Sequence, residues 1–309
     1  MKHAKKSRYT LVKGSFFIRY PDQPRQGPQP DGDTITFHPD NPALVRALPW
    51  LSGRGPKFNA RQNIPVRYEG VDALETHFQG THQNLQYANE ARAENLKRLG
   101  FRDVVYFPDL PNNVQSASAD SLPGYVLANG IESNGRLLGL VYTGTTTEPD
   151  GQKIFVDAAQ IDQSVNVQLV KAGLAYVEPY DTMPMDLVQH LRQVIADARY
   201  AGAGMFAHEN VGKGKSASVA NLPAAEGLVM WPKLFRRLAA YFSEGHTGLG
   251  EFDAWIRQDG VDRDDTLRLP NGEKANMHDA YGINGNNLSL MFNPEDLLIA
   301  PDPAPATPQ

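Results

Sequence analysis

Residues 125–142, YVLANGIESNGRLLGLVY, decide the fold class of this chain. Both ends of this stretch are rich in branched and aromatic residues, which favours strands over 125–129 and 136–142. Between them lies Asn134-Gly135, the strongest short hairpin signal in the chain, because both residue types accept the positive φ of a tight turn. We therefore predict a β-hairpin here, within a fold that contains short strands.

Further strands and helices are predicted around this hairpin. Branched and aromatic residues favour strands over 9–18, 33–38, 64–72 and 104–107. Good helix formers or apolar residues at helical spacing favour helices over 86–100, 163–172 and 185–206. Residues 108–124, which are rich in Pro, Asn and Ser, are predicted to be a loop. Short strands with helices between and after them indicate an α+β fold, a small closed barrel with packed helices.

We assign this first part to a domain over residues 1–211. The amino-acid composition of the chain changes after it. Residues 212–225, GKGKSASVANLPAA, have the composition of a linker. Residues 226–300 are predicted to form a small mixed accessory region of unknown role, with a helix over 229–243. Residues 301–309, PDPAPATPQ, are expected to be a disordered tail.

Composition excludes several classes of protein. The 309 residues carry a net charge of -5 and include no cysteine. Disulfide frameworks, Cys-zinc sites, iron–sulfur clusters and thiol nucleophiles are therefore excluded. The acidic balance excludes the chain-wide basic field of a polybasic binder, but it allows a small basic cleft. No apolar run approaches the roughly 18–20 residues of a membrane helix, so no membrane partner is expected. No signal peptide is visible, which favours the cytoplasm, and a processed secreted form stays open.

Ionisable residues concentrate in the sequence DGDT at 31–34, in RYEGVDALET at 67–76, and at Arg136 after the Asn-Gly turn. Alone, DGDT is more typical of a turn that enters a strand than of a site. Together, the three elements contain the groups that a metal-dependent phosphodiesterase site requires. Two carboxylates and a backbone carbonyl would supply half of the oxygen ligands that calcium requires. Two arginines would hold a phosphate, and one more carboxylate would orient or deprotonate a water molecule, as in a phosphodiesterase.

These motifs, in this order, resemble the staphylococcal nuclease-like (thermonuclease) family over residues 9 to about 209. The matching elements are DGDT at 31–34, R-x4-D-x2-E-T at 67–76, NGR ending at Arg136, VNVQLVKAGLAYV at 165–177 and HLRQVIADARYAGAGMF at 190–206. The resemblance implies a five-stranded OB-type β-barrel with three helices. It also implies a calcium-dependent, sugar-nonspecific nuclease that hydrolyses the phosphodiester bonds of DNA and/or RNA.

The resemblance also implies a role for each matching residue. Asp33 and Asp72 would be calcium ligands, together with the backbone carbonyl of Ala73, and Asp31 would lie in the outer shell of the same site. The resemblance further implies that water attacks phosphorus and that the 5′-side oxygen leaves.

Three residues take the catalytic roles that the resemblance implies. Glu75 would be the general base, or the group that orients the water. Arg67 and Arg136 would bind the scissile phosphate. Tyr180 is the candidate for contact with the nucleotide.

The segment after Arg67 departs from the family pattern. Relatives usually have apolar residues where this chain has Tyr68-Glu69-Gly70, and a proline where it has Leu74. Strict alternation along a strand would put Arg67 and Asp72 on opposite faces. Both must nevertheless reach one site, so we predict a bulge or sharp twist at Gly70.

Two other classes of function remain open from the sequence. A barrel of this type can bind nucleic acid as a non-catalytic scaffold. A third interpretation keeps the active site but makes the C-terminal region of about 90 residues decisive, as a targeting or partner-binding unit. A pure binder has no need for all five of the residues Asp33, Arg67, Asp72, Glu75 and Arg136, which favours the nuclease.

Basic residues outside the motifs fall into two groups, and we interpret the two groups differently. Four lie in the insertion between the first two motifs, and we expect them to add positive charge beside the cleft: Arg46, Arg54, Lys57 and Arg61. Arg236 and Arg237 could contact nucleic acid, but an ordinary solvated helix face is the favoured interpretation.

Overall fold

A computed structural model describes residues 8–258 and 263–301. Its first part contains the strands β1 (Tyr9–Phe17), β2 (Thr34–Pro39), β3 (Ile64–Tyr68), β4 (Val71–Asp72), β5 (Val105–Phe107), β6 (Leu110–Ser116), β7 (Ser121–Ile131), β8 (Leu137–Thr143) and β9 (Lys153–Ile154). Five of them form a closed mixed barrel in the order β2-β3-β8-β7-β1, because β1 also pairs with β2. The β3–β8 pair is parallel and the other barrel pairs are antiparallel.

The predicted hairpin is present. Strands β7 and β8 pair antiparallel across a turn in which Gly135 has a φ of 82°. The predicted loop over 108–124 is wrong, because it contains β6, which pairs with β5, and the start of β7. Its polar composition misled the prediction. Polar residues such as Ser116 and Ser121 can lie in strands without packing into a core. Strand β6 is stabilised by its backbone hydrogen bonds to β5.

The helices of this part pack outside the barrel. They are α1 (Pro42–Arg46), α2 (Leu85–Arg98), α3 (Ala158–Ile161), α4 (Val165–Lys171) and α5 (Met185–Tyr200). Side chains cap two of the three longer ones: Asn84 accepts from the N–H of Tyr87, and Ser164 accepts from that of Val167. Helix α5 ends six residues before its predicted end, because Gly202 and Gly204 adopt positive φ values of 60° and 50°.

The C-terminal part is a small mixed unit with its own core. After β10 (Tyr176–Val177), which pairs with β4, the chain forms β11 (Ser216–Ser218), β12 (Thr266–Arg268), β13 (Lys274–Asn276), β14 (Tyr281–Asn284), β15 (Asn287–Leu290) and β16 (Leu298–Ile299). Its helices are α6 (Leu222–Glu226), α7 (Pro232–Ser243) and α8 (Phe252–Ile256). Trp231, Phe235, Tyr241 and Phe252 lie in a core that is separate from that of the barrel. The predicted α+β class, with an OB-type barrel and a small mixed accessory region, is confirmed.

The predicted linker over 212–225 contains β11 and most of α6, and its residues Val219 and Ala225 are fully buried in the C-terminal core. We therefore propose to assign these residues to the C-terminal unit. Of the predicted tail, residues 302–309 lie outside the described residues. Within the described ranges, no helix combines the length and apolar character that crossing a bilayer requires.

The two units contact each other at several points. Arg199 of α5 pairs with Glu295 at 2.9 Å, and the N–H of Ile299 donates to the carbonyl of Pro179 at 3.0 Å. The side chain of Gln83 donates to the carbonyl of Met230, just before α7, at 3.1 Å. This last contact holds the start of helix α7 against the loop that follows β4.

Candidate active site

The DGDT loop is held against the end of β4 by close backbone contact. A Cβ at Gly32 would lie 2.5 Å from the Cβ of Ala73, so only glycine allows this approach. The approach lets the carboxylate of Asp33 accept from the N–H of Ala73 at 2.9 Å. Asn95 of α2 donates to the carbonyl of Asp31 at 2.7 Å and fixes the other end of the loop. The structure thus brings together Asp31, Asp33 and Ala73.

The predicted twist at Gly70 is present and brings Arg67 and Asp72 to one site. Gly70 has a φ of 76° in the turn between β3 and β4. A donor from α4 supports this turn, because the side chain of Asn166 donates to the carbonyl of Glu69 at 3.0 Å. The guanidinium of Arg67 then contacts Asp72 at 2.6 Å. Simple alternation along one strand would have separated these two side chains.

Arg67 lies at the centre of a buried network of carboxylates. It pairs with Asp33 and with Asp72, and it approaches Glu178 at 3.5 Å. Glu178 follows β10 and is almost fully buried, and it also accepts from the indole N–H of Trp231 at 3.1 Å. Burial, together with the charge of Asp72, raises the pKa of Glu178 to about 7. Sequence reasoning missed Glu178, although an acid directly after the apolar segment that ends at Val177 was a visible signal.

Helix α7 supplies a second arginine to this network. Arg236 donates to both carboxylate oxygens of Asp72, at 3.1 Å each, and to Glu75 at 2.6 Å. The interpretation of Arg236 as part of a solvated face is therefore wrong. The apolar face of α7 packs into the C-terminal core, and its polar face points to the barrel rather than to water. The sequence did contain a signal, since Lys233, Arg236 and Arg237 have the i, i+3, i+4 spacing of one helix face.

The two neighbours of Arg236 on this face form an ion-pair cluster of their own. Lys233 contacts Asp265 at 3.0 Å, and Arg237 contacts the other oxygen of Asp265 at 2.7 Å. Although burial opposes ionisation, these two cations lower the pKa of Asp265 to about 2. Arg237 is therefore also not on a solvated face, contrary to the sequence interpretation.

Besides Glu178, two carboxyl groups of the site, those of Glu75 and Asp31, have elevated pKa values. Burial raises the pKa of Glu75, and the charges of Asp72 and Asp33 add to the rise, while Arg236 opposes it. Burial also raises the pKa of Asp31 well above its usual range, and the charges of Glu75 and Asp33 add to it. A carboxyl group with a raised pKa is a stronger base when ionised, which suits proton transfer at Glu75.

Arg136 and Tyr180 lie at the same cavity but outside the central network. Arg136 pairs with Glu132 at 3.2 Å, and the carboxylate of Glu132 also accepts from the backbone N–H groups of Asn134 and Arg136 at 2.9 Å each. This carboxylate thus orders the hairpin turn that carries Arg136. The ring of Tyr180 faces the ammonium of Lys233 at 5.6 Å.

A cavity of about 450 Å³ joins these groups. Its barrel side includes Asp31, Asp33, Arg67, Glu75, Arg136 and Tyr180, and its C-terminal side includes Lys233, Arg236, Arg237 and Asp265. Five cationic side chains, together with six carboxylates, thus line one space. The volume is within the range of small-ligand pockets, which is about 300–1,000 Å³.

The predicted calcium ligands do not fit that ion in this arrangement. Asp72 has no exposed surface, and both of its oxygens accept from guanidinium groups. Within residues 8–258 and 263–301, no group of three or more Asp, Glu or His side chains is arranged to hold a metal ion. The carboxylates of Asp31 and Asp33 do face the cavity, and their chemistry is that of hard-cation ligands. Asp33 is also paired with Arg67, so the disagreement concerns both predicted side-chain ligands, Asp33 and Asp72.

The insertion between the first two motifs packs beside the hairpin that carries Arg136. The N–H of Leu51 donates to the carbonyl of Ile131 at 2.9 Å, and that of Lys57 donates to the carbonyl of Gly135 at 2.8 Å. Arg61 pairs with Asp22 at 2.5 Å, whereas the side chains of Arg54 and Lys57 are exposed. The contribution of this insertion to binding stays a prediction.

Comparison with known families supports the assignment of this fold. Residues 65–208 match the family model described as staphylococcal nuclease homologue. No match was found among curated proteins. The matched segment begins in β3 and contains Arg67, Asp72, Glu75 and Arg136, whereas the DGDT loop precedes it. The segment 65–208 is therefore similar to the staphylococcal nuclease homologue family, and this similarity favours a nuclease-related or nucleic-acid-binding function.

Proposed function

We propose that this protein is a calcium-dependent nuclease that hydrolyses phosphodiester bonds of DNA or RNA without selecting the sugar. The observation that carries the proposal is the convergence of Arg67, Glu75 and Arg136 on one cavity, where Asp31 and Asp33 are also present. These residue types, in one space, are what attack of water on a phosphodiester requires.

The chain's own residues have distinct tasks in this proposal. Glu75, whose raised pKa makes it a better proton acceptor, orients the attacking water and takes up its proton. Arg67 and Arg136 hold the phosphate oxygens and offset the negative charge that grows as water attacks phosphorus. The ring of Tyr180, at the cavity wall, contacts the nucleotide. Calcium would supply further charge stabilisation if it were held by Asp33, Asp72 and the carbonyl of Ala73, with Asp31 in its outer shell, and this would require the guanidinium groups to leave Asp33 and Asp72.

The experiment that tests this function is cleavage of single-stranded DNA, double-stranded DNA and RNA by the full chain, with calcium and with chelator. Glu75→Gln and Arg136→Ala are compared with two exposed controls, Glu90→Gln and Arg102→Ala. We expect calcium-dependent cleavage that both site variants lose and both controls keep. Cleavage that is equal in all five proteins would show that another site is responsible and would refute the proposal.

A specific observation favours a second candidate, a non-catalytic nucleic-acid-binding scaffold. Arg236 contacts Glu75, so the proposed base already has a cationic partner in this structure. If no substrate is cleaved while single strands still bind, this second function replaces the first. Two further predictions from the sequence, a cytoplasmic location and a protein partner for the C-terminal unit, remain predictions.

A further inference from the structure

Trp50 is a large aromatic side chain that remains 53% exposed in the folded protein. It lies in the insertion between β2 and β3, whereas the other two tryptophans, Trp231 and Trp255, are buried in the C-terminal core. A single exposed apolar side chain is an ordinary feature of protein surfaces. The argument for a function therefore depends on how the ring is held and on what surrounds it.

The backbone around Trp50 holds its ring in one orientation. Trp50 forms a β-bridge to Ile131 of β7, and the N–H of Leu51 donates to the carbonyl of Ile131 at 2.9 Å. A Cβ at Gly55 would lie 3.0, 3.3 and 3.4 Å from three atoms of the indole ring. These distances are nearly equal, which means that Gly55 lies over one face of the ring, because an approach to the ring edge would bring one atom much closer than its neighbours. The face opposite Gly55 is therefore the exposed one.

The insertion places this ring beside the candidate active site. Leu51 and Ser52, the two residues after Trp50, line a second cavity of about 70 Å³ that Arg136 and Tyr180 also line. Arg136 and Tyr180 belong to the cavity of about 450 Å³ as well, so the two cavities meet at these side chains. The wall of the site thus continues along the insertion toward Trp50.

Two cations accompany the ring. Arg54 directly precedes Gly55 and Lys57 follows it by two residues, and both side chains are exposed. Among the residues that the structure describes, neither forms an ion pair, whereas Arg61 of the same insertion is paired with Asp22. An exposed aromatic face next to unpaired cations is the combination with which proteins bind single-stranded nucleic acid.

We infer that Trp50 is a base-stacking residue for single-stranded nucleic acid, which passes over the insertion before it enters the site cavity. This inference rests on the proposed function and names its substrate class. The exposed ring face stacks on one unpaired base, while Arg54 and Lys57 contact neighbouring phosphates. A duplex cannot make this contact, because adjacent base pairs already cover both faces of each base. The contact tolerates any sequence, since every base has a π-face.

The test measures binding in chelator, so its outcome is separate from that of the cleavage assay. A fluorescently labelled single strand of about 12 nucleotides, within the site sizes of OB-type barrels, is titrated with each protein and followed by anisotropy. We expect the affinity of Trp50→Ala to fall by about tenfold, the effect of losing one stacked base. Trp50→Phe keeps an aromatic face and should restore most of the affinity. Tyr200→Ala, which removes a 96% exposed ring outside both cavities, is the matched control and should bind normally. Unchanged affinity in Trp50→Ala would overturn the inference.

Two comparisons separate stacking from electrostatic attraction. The salt dependence of binding should have the same slope in Trp50→Ala as in the wild type, because no phosphate contact is removed. A duplex of the same sequence and an abasic sugar-phosphate oligomer of the same length should each bind equally to both proteins. An equal loss of affinity for the single strand, the duplex and the abasic oligomer would contradict a stacking role.

Tryptophan fluorescence reports the contact directly. Of the three tryptophans, Trp50 alone is exposed, so a ligand at the surface reaches its ring and not those of Trp231 and Trp255. A stacked base quenches indole emission, so the single strand should quench part of the emission of the wild type and none of that of Trp50→Phe. Cleavage by a wild type whose emission does not change on binding would overturn this inference alone. A wild type that neither binds nor cleaves any nucleic acid would overturn the proposed function as well.

Discussion

Arg236 of helix α7 donates to both carboxylate oxygens of Asp72, at 3.1 Å each, across 164 residues of sequence. Asp72 has no exposed surface, so this contact is a buried ion pair between the two units of the protein. It makes the C-terminal unit part of the candidate active site rather than an appendage.

The first prediction concerns the stability that this pair confers. Removal of one partner of a buried ion pair leaves the other charge uncompensated, at a cost of about 3–5 kcal/mol. We expect Asp72→Asn and Arg236→Gln each to lower the free energy of unfolding, and the double variant to lose less than the two single losses together. Urea unfolding of the four proteins measures this coupling.

The control for this cycle is the exposed pair Arg257–Asp253, in which each side chain is 49% exposed. Its coupling energy should be near zero, or up to about 0.5 kcal/mol. Strict additivity at Asp72 and Arg236 would show that the contact does not form in solution.

The second prediction concerns the turn that joins β3 to β4. Gly70 has a φ of 76°, and a Cβ there would meet the side chains of Leu191 and Met183 at 3.0–3.2 Å. Gly70→Ala should therefore destabilise the protein by about 1–3 kcal/mol and reduce nuclease activity, because it shifts Arg67 relative to Asp72. Thermal unfolding and cleavage rates measure the two effects.

Gly80→Ala is the matched control for this change. Gly80 also has a positive φ, 85°, but a Cβ there would meet nothing within 4 Å. This variant carries the backbone strain without the crowding, so its loss of stability should be smaller and its activity normal. Equal effects at both positions would mean that the turn at Gly70 does not position the site.

The third prediction is a pH dependence of stability that originates at Glu69. Glu69 is buried beside β3, and burial raises its pKa to about 7, although a hydrogen bond from Asn129 at 2.6 Å opposes the rise. In the unfolded chain the same group titrates near pH 4.3. Between these values the folded state keeps a proton that the unfolded state has lost, so Glu69 reduces stability as pH rises toward 7.

Glu69→Gln removes this dependence. The variant should gain stability relative to the wild type as pH rises from about 4.5 to 7, with a gain of roughly 3 kcal/mol above that range. Urea unfolding at pH 5 and pH 8 measures the difference. Glu90→Gln on the exposed face of α2 should show no such trend, and a gain in Glu69→Gln that is the same at both pH values would contradict the assignment.

The fourth prediction concerns the basic insertion. Arg54 and Lys57 are exposed beside the hairpin that carries Arg136, whereas Arg61 is paired with Asp22. Neutralisation of Arg54 and Lys57 to Gln should weaken binding of single-stranded DNA and reduce its salt dependence by roughly 1.4 units of slope, about 0.7 for each charge removed. Fluorescence anisotropy in chelator, between about 50 and 200 mM salt, measures both quantities. Arg61→Gln should have a smaller effect, and unchanged binding in the double variant would exclude the insertion from the nucleic-acid surface.

The sequence predicted most of the barrel because the signals for it are local. The Asn134-Gly135 turn, the alternation in β2, and the branched and aromatic residues of β1, β3 and β8 are all features of residues close in sequence. The strand β6 was missed because its polar residues carry no apolar alternation, and its ladder to β5 stabilises it instead. Helix α5 ends before the predicted residue because Gly202 and Gly204, which follow it, adopt positive φ values that interrupt the helix.

The sequence by itself determined the fold class and the set of ionisable residues that define the candidate site, because their spacing is a property of the linear chain. It also indicated that Arg67 and Asp72 need a twist at Gly70 to meet. Only the tertiary structure decided that Arg236 contacts Asp72 and Glu75. The docking of α7 on the barrel depends on contacts between residues more than 140 positions apart, such as Gln83 with Met230. No local pattern encodes such a contact, because it arises from the packing of two separately formed cores.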